Sequence, residues 1–70
     1  MNAEEMFKKL GYKKVELDSS GYIEYERFKD DKHFNFDLIT KKILVWWGGI
    51  TVEELKAINK QCEELGWKHE

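Results

Sequence analysis

Seventy residues carrying a formal net charge of −2 make one domain with a thin stability margin, because a chain this short hides only about 60% of the surface its unfolded form exposes. One cysteine, Cys62, rules out an internal disulfide, and 12 basic residues dispersed among 14 acidic ones lack the concentrated positive surface on which nucleic-acid binding draws. The longest uncharged apolar run, Ile43 to Trp47, is far too short for a membrane span, and MNAEEMFKK at the start has no signal-peptide apolar region. The expected location is therefore the cytoplasm, where a reduced Cys62 belongs.

The first predicted helix covers 2–10. Asn2 can cap it, with Glu5 in the third helical position of a capping-box pattern. Ala3, Met6, Phe7 and Leu10 supply one apolar stripe, Gly11 suits the left-handed position that ends helices, and Tyr12 can fold back onto Phe7.

Period-two alternation then predicts strands over 12–18, 22–28, 33–39 and 43–47, with turns at Asp18-Ser19-Ser20-Gly21, Lys29-Asp30-Asp31-Lys32 and Thr40-Lys41-Lys42. Pairing core positions with core positions sets the register, since a slip by one turns a strand inside out. One core row is Leu17, Ile23, Leu38 and Val45; the next is Val15, Tyr25, Phe36 and Trp47, which makes Trp47 an expected core residue.

The last predicted helix covers 51–65 and opens on a T-x-x-E capping box, Thr51 to Glu54, with Ile50 and Leu55 placed as a hydrophobic staple. Val52, Leu55, Ile58, Cys62 and Leu65 follow as its stripe, Gly66 ends it, and Trp67 can pack back on Cys62. The fold class expected is α+β: a single domain, 1–70, in the order α-β-β-β-β-α. Two antiparallel helices cover one face of a four-stranded antiparallel meander. That arrangement brings Lys8 and Lys9 near Glu53 and Glu54, whereas Glu63 and Glu64 lie at the unfavourable end of their own helix dipole.

The same register fills the helix-free face with Asp18, Tyr22, Ile39 and Leu44 in one row, Glu16, Glu24, Asp37 and Trp46 in the next, and Lys14, Glu26 and Asn35 in a third. An aromatic and aliphatic patch on an uncovered sheet marks an interface, so Trp46, Tyr22, Ile39 and Leu44 are the expected partner-binding anchors and Glu16, Glu24 and Asp37 their acidic margin. The plainer alternative is that these apolar pairs only stabilise the sheet and the carboxylates are solvated.

No catalytic, cofactor or metal site is expected. Gly48-Gly49 lacks a phosphate-loop pattern and Glu53-Glu54 already occupies the following helix start. Cys62 falls on an apolar stripe, Ser19 and Ser20 lie in a turn without a neighbouring base, and His33 and His69 have no ligand partner at zinc spacing.

Two resemblances bear on function. An α-β-β-β-α order resembles the double-stranded-RNA-binding domain, but this chain adds a fourth strand, and Thr51-Val52-Glu53-Glu54 stands where that family carries its phosphate-binding basic residues. EEMFKKLGY and ITVEELKAINKQCEELGW, flanking a central run of charged hairpins, look like small uncharacterised proteins encoded by phages and prophages of Gram-positive bacteria. That resemblance implies an accessory product, in the host cytoplasm, that works by binding a host defence or regulatory protein. The expected function is a small non-enzymatic protein-binding module; the alternatives are a nucleic-acid or nucleotide-binding domain and a structural homodimer through the open face or edge strand 4.

Overall fold

A computed structural model describes residues 1–15 and 21–67. The element order is α1 (Ala3–Lys9), β1 (Lys13–Val15), β2 (Tyr22–Arg27), β3 (Lys32–Asp37), β4 (Lys42–Trp46) and α2 (Val52–Glu64). The strands form one antiparallel sheet in chain order, so the fold is the expected α+β meander with a helix at each end. Among the described residues no helix is long and apolar enough to cross a membrane.

Both helices begin and end on the chemistry of their caps. Asn2 Oδ1 accepts from Glu5 N while the Glu5 carboxylate accepts from Asn2 N, and Thr51 with Glu54 repeats the box ahead of α2. At the other ends, Gly11 and Gly66 take the left-handed conformation. Gly11 N donates to Lys8 O and Tyr12 N to Phe7 O, and Gly66 N to Glu63 O and Trp67 N to Cys62 O, which are the two bonds of a Schellman cap in each case. At Gly11 a side chain would be strained by the left-handed backbone, and its Cβ would also stand 3.2 Å from Arg27 Cδ, a tight contact.

Phe7 is the centre of the core. Its ring stacks on Tyr25 at 4.1 Å and meets Phe34 at 5.6 Å, Tyr12 at 5.7 Å and Phe36 at 6.2 Å. Ala57, Ile58 and Cys62 of α2 complete the buried cluster, with Trp67 at its margin. The helices run antiparallel: Ala3 N, at the start of α1, donates to Glu64 Oε2 at the end of α2. This gives Glu64 a role, because its charge sits at the positive end of the neighbouring helix rather than its own.

A charged group is sealed inside this layer. Glu54 is 1% exposed. Its Oε1 accepts from Thr51 N and from Lys32 Nζ, both at 2.9 Å, and its Oε2 accepts from Tyr12 OH at 2.5 Å, with Arg27 Nη2 3.6 Å away. Lys32, also buried, donates in addition to Gly49 O. Arg27 lies 4.6 Å over the Tyr12 ring, donates to Leu10 O at the end of α1 and forks onto Asp30. Burial pushes the Glu54 carboxyl up, but hydrogen bonds from Tyr12, Thr51 and Lys32 outweigh it and hold it at about 2. Lys8 and Lys9 make no ion pair with Glu53 or Glu54 among the described residues; Glu53 instead meets Lys56 on its own helix.

The expected register needs correction at every strand pair. Tyr25 stands opposite Phe34, not Phe36, and Phe34 and Phe36 stand opposite Val45 and Ile43. The phase survives, but the hairpin loops are Phe28–Asp31 and Leu38–Lys41, each ending on a left-handed residue, Asp31 or Lys41. Loop length fixes register. In β1 the phase itself is reversed: Tyr12 is drawn inward by Glu54, so alternation turns Lys14 toward α1, 3.9 Å from Glu4, and Val15 onto the open face opposite Glu24. The expected core residue Leu17 lies outside the described residues.

Helix α2 is also rotated from its expected stripe. Glu54, Ala57, Ile58, Gln61 and Cys62 are buried, whereas Val52 and Leu55 are exposed. Gln61 belongs inside because its Oε1 accepts from Tyr25 OH at 2.6 Å. That phenol, with burial the main cause and Glu4 and Glu64 adding, is pushed up to about 12.

Glu54→Gln and Lys32→Met are each expected to cost about 3 kcal/mol in urea unfolding, with the double variant well below their sum, because removing either partner strands a buried charge. The Glu54 pKa lies below its unfolded value of 4.5, so its contribution is complete above that pH and is lost as pH falls toward about 2. The loss in wild type is about 3 kcal/mol, and that part of the acid slope disappears in the double variant. The slope belonging to Asp30 and Asp37, both held low by hydrogen bonds, persists.

Candidate functional site

Neither of the adjacent indoles at the end of β4 enters the core. Trp46 faces the open side of the sheet, as its phase requires, and is 48% exposed, with its ring 4.8 Å from that of His33. Trp47 corrects the expectation: it follows the last residue of the strand with φ +70° and is 68% exposed. A bulky residue in the left-handed region is a local strain. The inward place opposite Phe36 expected for it is taken by Ile43, and the third indole, Trp67, lies 6.4 Å from the Phe36 ring. Trp46 and Trp47 line a shallow hollow of ≈ 230 Å³.

Most of the large apolar side chains exposed among the described residues fall within one stretch of the sequence, residues 39–55. Apart from Met1 and Phe28 they are Ile39, Leu44, Trp46, Trp47, Ile50, Val52 and Leu55, a stretch running up β4, through its connection and into the first turn of α2. β4 is moreover an edge strand. Trp47, Ile50, Val52 and Leu55 were not expected here; the signal for the last two was Glu54 itself, since a helical residue pinned inward at 54 turns position 52 to the opposite side.

The expected anchors are only partly brought together. Leu44 and Trp46 share one side of β4, two residues apart. Tyr22 lies two strands away in a row with Asp37 and Lys42, and Ile39 stands in the loop before β4, so neither joins Trp46. Nor does the acidic row hold. Glu24 lines up with Asn35 and Leu44, whereas Asp37 Oδ1 accepts from Ile39 N and Thr40 N and so closes a turn, bonds that lower its pKa. Glu16 lies outside the described residues.

The row that ends at Trp46 is Lys13, Glu26, His33 and Trp46. His33 Nε2 is 3.0 Å from Asp31 Oδ1, while Nδ1 faces Glu24 Oε2 at 3.6 Å and Glu26 Oε2 at 3.9 Å. Nδ1 is buried and has no hydrogen-bond partner among the described residues. The bond to Asp31 raises the imidazole pKa most; burial opposes it, and the charges of Asp31, Glu24 and Glu26 add to the rise. These three ligand-type groups lie on paired strands, and sequence spacing does not reveal them; the corrected cross-strand register does.

Other candidates are structural. Cys62 is buried in the core and burial pushes its thiol up, away from the reactive thiolate. Gly48 and Gly49 make the strand-to-helix turn, with Gly49 O held by Lys32. Ser19, Ser20, Asp18 and His69 lie outside the described residues. Comparison of the chain with protein-family models, with curated proteins and with solved structures finds no match.

Proposed function

We propose that this chain is a non-enzymatic protein-binding module whose docking surface is the apolar margin of β4 and the start of α2, anchored by Trp46, Trp47 and Leu44. One observation carries it: two exposed indoles, one of them in a strained left-handed backbone, stand at the end of an edge strand, within the stretch of sequence that holds most of the other exposed apolar side chains. Strain and exposed aromatic area both cost stability in an isolated monomer, and Trp is the residue most enriched at binding hot spots. The free backbone edge of β4 adds main-chain groups that an extended segment of a partner can pair with. The resemblance to small phage and prophage proteins supplies the class of partner, a host defence or regulatory protein.

Trp46→Ala and Trp47→Ala are each expected to change urea-unfolding stability by less than about 1 kcal/mol, whereas Phe34→Ala at the core costs about 3–5 kcal/mol. Trp47→Gly, which relieves the left-handed strain, is expected to leave stability unchanged or raise it by up to about 1 kcal/mol.

The binding test starts with a sizing run of wild type and of the Trp46→Ala/Trp47→Ala double variant, followed by capture from a Gram-positive host lysate with the two side by side. A stoichiometric complex, with itself or with one lysate protein, that the double variant loses while remaining folded supports the docking surface. Identical association by both proteins rejects it.

A further inference from the structure

An imidazole nitrogen that is buried, unpartnered among the described residues and aimed between two carboxylates requires an explanation. Asp31 can only accept, so it holds the ring proton on Nε2 and leaves the lone pair of Nδ1 facing Glu24 and Glu26. Acceptor then faces acceptors, which is unfavourable without a cation among them.

A second proton, on Nδ1, is the simpler candidate for that cation. It would close no short hydrogen bond, since charge-assisted N–H···O bonds reach about 2.7–2.9 Å, whereas Nδ1 stands 3.6 and 3.9 Å from the two oxygens. Tetrahedral ligands about 2.1 Å from a metal lie roughly 3.4 Å from one another. The two Nδ1–oxygen separations are close to that, and one ligand atom from each of Glu24, Glu26 and His33 can be chosen so that all lie within 4.8 Å of one another.

We propose that Glu24, Glu26 and His33 form a binding site for a divalent transition-metal ion of the zinc type. His33 Nδ1 and one oxygen of each glutamate are the ligands, and the remaining position is left to water. The surroundings are those of a supported site. Asp31 on Nε2 fixes the tautomer and raises the basicity of the ligand nitrogen, the role a carboxylate plays behind a metal-bound histidine. Asn35 Nδ2 donates to Glu24 Oε1 at 3.3 Å and steers that carboxylate. The Trp46 ring beside the imidazole covers one side. One imidazole with two carboxylates suits zinc and its first-row neighbours better than calcium, which takes more oxygen ligands.

The test uses untagged protein, stripped with chelator, titrated with Zn²⁺ by calorimetry and with Co²⁺ by visible absorption. Quenching of Trp46 fluorescence by Co²⁺ serves as a local reporter. Expected are one ion per chain, loss of binding in His33→Gln and in Glu26→Gln, and a roughly 10- to 100-fold weaker affinity in Asp31→Asn. Far-UV circular dichroism confirms the fold of each variant. No Zn²⁺ uptake by wild type, or uptake that His33→Gln leaves unchanged, overturns the proposal; so does Ca²⁺ binding as tightly as Zn²⁺.

Discussion

Burying a carboxylate costs several kcal/mol unless its lone pairs are engaged and its charge is matched, and for Glu54 the matching groups come from across the molecule. Thr51 belongs to its own helix cap, Lys32 to β3, Arg27 to β2, and Tyr12 to the segment that leaves α1. Through Lys32 the same charge reaches Gly49 in the turn before α2. A single carboxylate thereby fixes how both helices sit on the sheet. In a chain whose core supplies only about 3–5 kcal/mol, such a network specifies one arrangement more than it adds to the total, since alternative packings strand a buried charge.

The rotation of α2 follows from this. Glu54, Gln61 and the small residue Ala57 share the buried side with Ile58 and Cys62, and the two polar members are there because Tyr12, Lys32 and Tyr25 bind them. Val52 and Leu55 are displaced outward in consequence. The exposure of Val52 and Leu55 and the buried network are therefore two results of one helix orientation: the polar groups that the core retains are exchanged for apolar groups that the surface must carry.

Local chemistry was legible in the sequence wherever one residue and its near neighbours decide the outcome. Asn2 with Glu5, Thr51 with Glu54, and the Gly11-Tyr12 and Gly66-Trp67 pairs gave both helices their ends, and alternation in HFNF gave β3 its two faces. Long-range decisions were not legible. Tyr12 is turned inward by a carboxylate distant in sequence, which reverses β1, and Asp31 and Lys41 close their loops earlier than the charged runs suggest, which slides β3 and β4 along their partners. Trp46 was placed correctly because phase alone decides its side. Tyr22, Ile39 and Asp37 were not joined to it because that depended on register, and the same error concealed the meeting of His33 with Glu26.

An edge strand reading Lys-Ile-Leu-Val-Trp is a hazard to a solitary monomer. It has no proline, its only charge is Lys42 at one end, and apolar side chains lie on both of its sides. Segments of that composition pair with copies of themselves, and natural edges are ordinarily interrupted by inward charges, bulges or proline. Here Lys41 and Lys42 guard one end, while the other passes through Trp47 into Gly48-Gly49, where left-handed backbone at Trp47 and Gly48 ends the extended run. That bend blocks further strand growth yet leaves two indoles outward. A margin protected against indefinite pairing but not against a single apolar contact is what a surface covered by one partner requires, and coverage would return to the fold, by mass action, the stability that the exposed indoles withhold from it.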